Sequence, residues 1–404
     1  MKAFTEQMRT LAGASLAVLL LLPAMAALAG DDQAVLPPLT MIKTVASTVP
    51  ANGDVNPYGV AQVKRTIGKL SAGHILISNF NNSGNFQGEG STVVDVAPDG
   101  TVSPFAALNP ASQPNPVSLP AGSCPGGIGL TTALVVLKQG WVIVGSLPTK
   151  DQGATFTGSG CLIVLDSMGK PVETFYGSLI NGPWDMTAFD GDSEASLFVT
   201  NVLNGTVAAG GKVVHGGTVT RLNLKLSAGA PPALQSITII GSGFAESTDP
   251  AALVVGPTGV GLRADCDDDR DDCPADRDRD HDRGDHDSSV LYVADTLGNR
   301  VTVIDRALSR TSSAGTGRTL SSGGSLNRPL GLVVTPSGHV LTVNAADGFI
   351  TEISPHGVQL AKELLDNTGG PPPGAGNLFG LAFDPAAGVY FVDDGNNTFK
   401  LLHH

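Results

Sequence analysis

The sequence predicts an all-β chain: a six-bladed β-propeller of four-stranded blades, its ring closed by the N-terminal strand. Three observations predict it. Helical periodicity is almost absent from the 404 residues. A short proline-glycine signature recurs six times, each copy followed by β-rich runs. The last repeat has one strand too few, and an unassigned strand precedes the first.

The signature reads "NPYGV" from Asn56, "CPGGI" from Cys124, "GPWDM" from Gly182, "GPTGV" from Gly256, "RPLGL" from Arg328 and "NLFGL" from Asn377. The third copy carries Asp185 in place of glycine, and the sixth lacks the proline. Each copy leads into a strand ending in a small or polar residue: "HILISN", "WVIVGS", "LFVTN", "LYVAD", "HVLTVN" and "VYFVDD". A third strand follows, as in "STVVDVAPDGTV" and "CLIVLDSMGKPV", several ending in a glycine turn to a fourth. From Gly59 to Gly127, Asp185, Gly259, Gly331 and Gly380 the copies lie 49 to 74 residues apart. Four short strands at such spacing describe propeller blades, whereas a parallel β-helix has a much shorter period.

The sixth copy supplies "NLFGLAF", "VYFVDD" and "NTFKLL", then ends at His404. The run Leu39–Thr48, "LTMIKTVAST", has no blade of its own. Pairing it with the last strand closes the circle and removes an open sheet edge that would invite aggregation.

The first 29 residues are expected to lie outside the fold. Lys2 and Arg9 precede an apolar run from Leu11 to Leu22, and Ala27-Leu28-Ala29 is an A-x-A cleavage site. This predicts a signal peptide over 1–29, a short linker over 30–37 and the propeller over 38–404. No later run is long enough to span a bilayer. The expected protein is secreted, periplasmic or extracellular, and monomeric.

The formal net charge of −13 argues against nucleic acid as partner. Most of it is local. Asp265–Asp287, "DCDDDRDDCPADRDRDHDRGDHD", holds twelve Asp and four Arg, which sum to −8. In blades five and six the signature glycine and the acid or amide ending the next strand are 13 residues apart; in blade four the gap is 36, an excess of 23. The run 265–288 is therefore an insertion into the hairpin between the first two strands, expected to be disordered and away from the ligand-binding face. It lacks the glycine and glutamate of an EF-hand loop.

Four cysteines in an oxidising compartment permit disulfides. Cys124 and Cys161 are expected to pair on the ligand-binding face, one in the connection entering blade two and the other starting its third strand. Cys266 and Cys273 are candidates for a small ring within the acidic run.

The repeat resembles the NHL family of six-bladed propellers, in which "P-x-G-[VIL]" precedes "l-Y-V-[AT]-D-x-x-x-N-R-[VI]". The match is closest at "GPTGVGL" with "LYVADTLGNRVTVID", and at "RPLGLVVTPSGHVLTVN". The resemblance implies the propeller but no single activity.

In such a fold the second strand of each blade ends near the central channel. Those ends are Asn79, Gly145, Asn201, Asp295, Asn344 and Asp393. Asn79, Asn201, Asp295, Asn344 and Asp393 are candidate ligands for Ca²⁺ or a similar ion, or Asn and Asp capping their own turns. Gluconolactonase/regucalcin-like propellers hold a divalent metal with a Glu, two Asn and an Asp. Asn201 and Asp295 are similar in position to part of that set, but Gln33–Gln87 contains no Glu. Lyase propellers with histidine-bound zinc are a further resemblance; here His74 and His339 open second strands and His356 sits in a turn, so no zinc site is expected. Two functions follow: a non-catalytic binding protein taking a protein or small-molecule ligand at the channel face, or a metal-dependent hydrolase or lyase with a Ca-type site at its mouth.

Overall fold

The computed structural model describes residues 33–108, 124–147, 149–150, 155–156, 160–249, 253–264 and 287–404. The expected signal peptide, Cys266 and Cys273, and residues 265–286 of the acidic run lie outside the described residues.

Six antiparallel sheets form the ring, each strand hydrogen-bonded to its sequence neighbour. We letter the strands A to D from the channel outward. Blade one is Val55–Gln62, Ile75–Asn81, Gln87–Val96 and Val102–Ala107. Blade two is Leu134–Val136, Val142–Ser146, Cys161–Leu165 and Pro171–Tyr176. Blade three is Pro183–Asp190, Glu194–Asn201, Val214–Ser227 and the long Ala230–Asp249, to which a short strand, Leu253–Val255, adds. Blade four is Pro257–Arg263, Val290–Asp295, Arg300–Asp305 and Arg318–Ser322. Blade five is Pro329–Val334, Val340–Asn344, Phe349–Ile353 and Gln359–Leu364. Blade six is Leu378–Asp384, Gly388–Asp393 and Thr398–His403, with Met41–Ser47 as its outer strand.

That outer strand is the predicted closure. Met41 faces His403 and Ser47 faces Thr398 in antiparallel register. The residues before it are held as well. Glu352, fully buried, accepts the backbone N–H groups of Val35 (2.8 Å) and Leu36 (2.9 Å) and pairs with the His339 Nδ1 at 2.6 Å. Leu36 and Leu39 enter the apolar core between blades five and six.

Strand A of each blade packs on strand A of the next, and blade six on blade one. The signature glycine exists for this contact. A Cβ at Gly331 would lie 1.9 Å from the Phe379 carbonyl, and one at Gly380 2.0 Å from that of Tyr58. At these two junctions a side chain would drive the blades apart. The junction between blades three and four is the exception: Asp185 takes the glycine position, and its carboxylate accepts the Val260 N–H at 3.1 Å.

Blade two departs from the expected register. Strand A begins at Leu134, opposite Val144, so Thr131 and Ala133 occupy the proline and glycine positions. "CPGGI" lies ahead of the strand, in the connecting loop. The strand-B end of this blade is accordingly Ser146, facing Cys161, and not Gly145.

The loop position also resolves the geometry of the disulfide. Strands A and C are about 10 Å apart, too far for a bond. Cys124 is ten residues upstream of strand A and free to cross to Cys161. The two are bonded, with Cα atoms 5.5 Å apart.

Candidate functional site

The strand-B ends are fully or almost fully buried and are engaged by their own surroundings. Asp295 accepts the Gly298 N–H (3.1 Å) and the Arg300 Nε–H (2.8 Å). Asn344 accepts from the Asn327 N–H and donates to Ser325 O and Asp347 Oδ1. Asp393 accepts from Asn396 and from the Lys400 ammonium. Asn79 donates to Thr48 O, and Asn201 to Thr220 Oγ1. Asn79, Asn201 and Asp393 each keep one oxygen without a partner. The five do not fit a calcium cage as a set: both carboxylates are neutralised by a basic neighbour, and Asn344 is saturated by its turn. Among the described residues no three His, Cys, Asp or Glu side chains group as metal ligands. His74 and His339 do open strand B, as predicted, and each faces a strand-C acid: His74 meets Asp95 at 3.0 Å.

Two residues that the sequence reading passed over latch neighbouring blades. Asn299 Oδ1 accepts the Arg328 N–H and Asn397 Oδ1 the Asn56 N–H, both at 2.7 Å. Each lies four residues after the strand-B acid, in "DTLGN" and "DDGNN", so the spacing was available as a signal.

The end of the channel where strands A begin is sealed. The residue after the signature proline, or its equivalent, is Tyr58, Thr132, Trp184, Thr258, Leu330 or Phe379, all buried. The Tyr58 ring lies 5.6 Å from Trp184 and 5.2 Å from Phe379, with Phe80 6.4 Å away. Buried Leu130, Leu147, Val202 and Leu203 belong to the same apolar cluster. This is the face on which the sequence reading placed ligand binding.

Beyond the seal a cavity of about 500 Å³ runs along all six A strands. Its wall repeats the residue after the signature glycine: Val60, Leu134, Met186, Val260, Leu332 and Leu381. Further out it passes Val136, Ala188, Leu262 and Phe383, and ends among Lys64, Lys138 and Asp190. The seal is buried, whereas the strand ends are half-buried and Lys64 exposed. Among the described residues the channel therefore opens toward the A–B turns. The acidic insertion is rooted on that side, since its flanks Arg263 and Val290 are paired neighbours.

Asp185 lies at the floor of this cavity. Its carboxylate accepts the N–H of Met186 at 2.8 Å and of Val260 at 3.1 Å. Among the described residues no cation approaches it, so burial dominates and raises its pKa to about 7. Part of its surface is exposed to the channel. Beside it, burial and then the Asp185 charge hold the Tyr58 phenol well above its usual range. The Trp184 indole N–H approaches the Tyr58 hydroxyl, but neither atom completes a hydrogen bond. The Asp185 carboxyl thus lines the closed end of the channel, while the Tyr58 phenol and the Trp184 indole N–H are buried within the adjoining seal.

No protein-family model matches the chain, so the NHL-like wording remains a resemblance of motif, and no curated protein sequence matches it. Solved structures do resemble it. A gluconolactonase from Xanthomonas campestris aligns with a TM-score of 0.48 and 13% identity over 90% of this chain and 89% of that one. Regucalcin, a calcium-binding protein from Agrobacterium tumefaciens, gives 0.48 and 12% over 88% and 92%. Virginiamycin B lyase from Staphylococcus aureus gives 0.45 and 11% over 90% and 99%. Likeness at this level carries no activity across; the six-bladed fold stands on the strand order above.

Proposed function

We propose that this is an exported binding propeller that admits a small ligand, apolar along its length and polar at one end, to the central channel from the A–B side. The observation that carries this reading is the placement of the Asp185 carboxyl at the closed end of a cavity whose lining side chains are mainly apolar. Apolar walls with a few convergent polar groups are the usual make-up of a small-molecule site. Export is supported by the Cys124–Cys161 disulfide, and no helix among the described residues is long and apolar enough to cross a membrane.

The chain contains two tryptophans, Trp141 and Trp184. In a Trp141→Phe protein, Trp184 reports on the channel floor alone. Adding 1-octanol should shift its emission saturably. An unchanged emission, with no heat of binding, would remove the channel as a binding site.

A second reading has one observation in its favour. A carboxyl that titrates near neutrality in a cavity is also suited to general acid–base catalysis, which keeps a hydrolase or lyase open. Turnover of a panel of lactones that disappears in Asp185→Asn would establish it; binding without turnover supports the binding protein. Metal analysis with and without chelator tests the remaining Ca²⁺ expectation at Asn79, Asn201 and Asp393.

A further inference from the structure

We infer that the channel ligand is an organic cation: an ammonium head on an apolar body, inserted head first so that the ammonium meets the Asp185 carboxylate. This deepens the channel reading and rests on it. The carboxylate lines the closed end of the cavity. Each of its oxygens already accepts one backbone N–H, from Met186 and Val260, and each keeps a further lone pair for a donor.

The bond to the Val260 N–H ties this junction but does not require a charge. Four blades have glycine here and blade two has alanine, residues that satisfy the ring contact without burying a carboxyl. Burial of an uncompensated carboxylate is unfavourable, and in the empty channel a proton fills the role of counter-cation. An ammonium group would replace that proton with a charge-assisted contact in a low-dielectric site, where such contacts are strongest. The proton would leave to solvent.

The remaining charged groups do not compete. Tyr58 stays a neutral phenol beside Asp185. Blade four, which packs against Asp185, presents backbone and aliphatic groups until Arg263 at its strand end. Lys64, Lys138 and Asp190 belong to the mouth. From Asp185 to Asp190 is five residues along one strand, roughly 17 Å at about 3.3 Å per residue, enough for an extended eight-carbon chain.

The test uses the full chain with Trp141→Phe and three probes that share one tail: octylammonium, 1-octanol and octanoate. Trp184 emission and calorimetry give the affinities at pH 6 and pH 8. An alkylammonium is charged at both. For a carboxyl titrating near 7, octylammonium should bind about tenfold more tightly at pH 8 than at pH 6, releasing about one proton per ligand at the lower pH. It should bind more tightly than octanol, and octanoate should bind least. Asp185→Gly, which restores the residue found at four other junctions, should keep octanol binding and lose both the ammonium preference and its pH dependence; Asp185→Asn serves if the glycine variant is unstable. Octylammonium affinity no better than octanol, or independent of pH, would overturn the cation while leaving the channel site intact. No response to any of the three probes would overturn both.

Discussion

The two ends of the central channel are built from the same six strands and come out opposite in character. At the end where strands A begin, the residue after the signature proline is aromatic in blades one, three and six, and the rings close the axis. At the other end the cavity is lined by Gln62, Val136, Asp190, Ala264, Val334 and Phe383, all half-buried. The closed end is also fastened, by the Cys124–Cys161 disulfide and by the Asn299 and Asn397 latches. At the open end, fastening is displaced to the periphery, where Glu352 and His339 hold Val35 and Leu36. The lesson is one of division of labour. One end carries the structural load, which leaves the other free to form a cavity.

The contrast predicts a gradient of mutational effects. Trp184→Ala, in the seal, should destabilise the protein by about 3–5 kcal/mol in chemical denaturation, the range for removing a large buried aromatic. A loss under 1 kcal/mol would mean the seal is loosely packed. Replacing both Cys124 and Cys161 with serine opens a loop whose ends are 37 residues apart and should cost about 3–4 kcal/mol, with octanol binding retained.

Asp185 sharpens the comparison through pH. Its carboxyl holds a proton more tightly in the folded than in the unfolded chain. Its contribution is therefore intact below roughly pH 4, the ordinary carboxylate range, and is progressively lost as pH rises to about 7. Asp185→Asn should match the wild type near pH 4, gain on it through that window and hold a constant advantage above it. Glu246 is buried in strand D of blade three, its carboxyl raised by burial to about 8. It acts with the same sign, so the stability of Asp185→Asn itself still falls as pH rises to about 8. A wild-type stability that rises from pH 5 to pH 8 would contradict both assignments. Lys64→Ala, at the exposed mouth, should change stability by less than about 0.5 kcal/mol; a larger loss would show that the open end bears load too.

The fold was legible because it repeats. Six signatures, the strand missing after Leu402 and the spare strand before Asn56 specify a closed ring with little else needed. The disulfide was legible from its two loops. Blade two was misread since "CPGGI" has the proline and glycine of a signature but forms a loop carrying the disulfide, while the true strand start, "TTALVV", has neither. Thr131 and Ala133 are acceptable there because the contact requires only a small residue.

The site was legible in part. Asp185 stood out as the one acidic departure from the glycine pattern, yet its meaning depends on the width of the junction between blades three and four. Tyr58, Trp184 and Phe379 hold equivalent sequence positions, but that they meet on the axis is a property of the assembled ring. The strand-B ends were correctly located in four blades; in blade one the strand runs two residues past Asn79 to Asn81, and in blade two it ends at Ser146. Their partners, Arg300 and Lys400 for the two carboxylates, come from the following strand and occupy the lone pairs a metal would need.

The central claim, a titrating carboxyl at the floor of an open channel, is tested most directly by the emission of Trp184 in the Trp141→Phe protein as a function of pH. We predict a single transition with a midpoint near pH 7, absent in Asp185→Asn and displaced to lower pH by saturating octylammonium. Emission that is flat between pH 5 and pH 9, or a midpoint that survives Asp185→Asn, would contradict it.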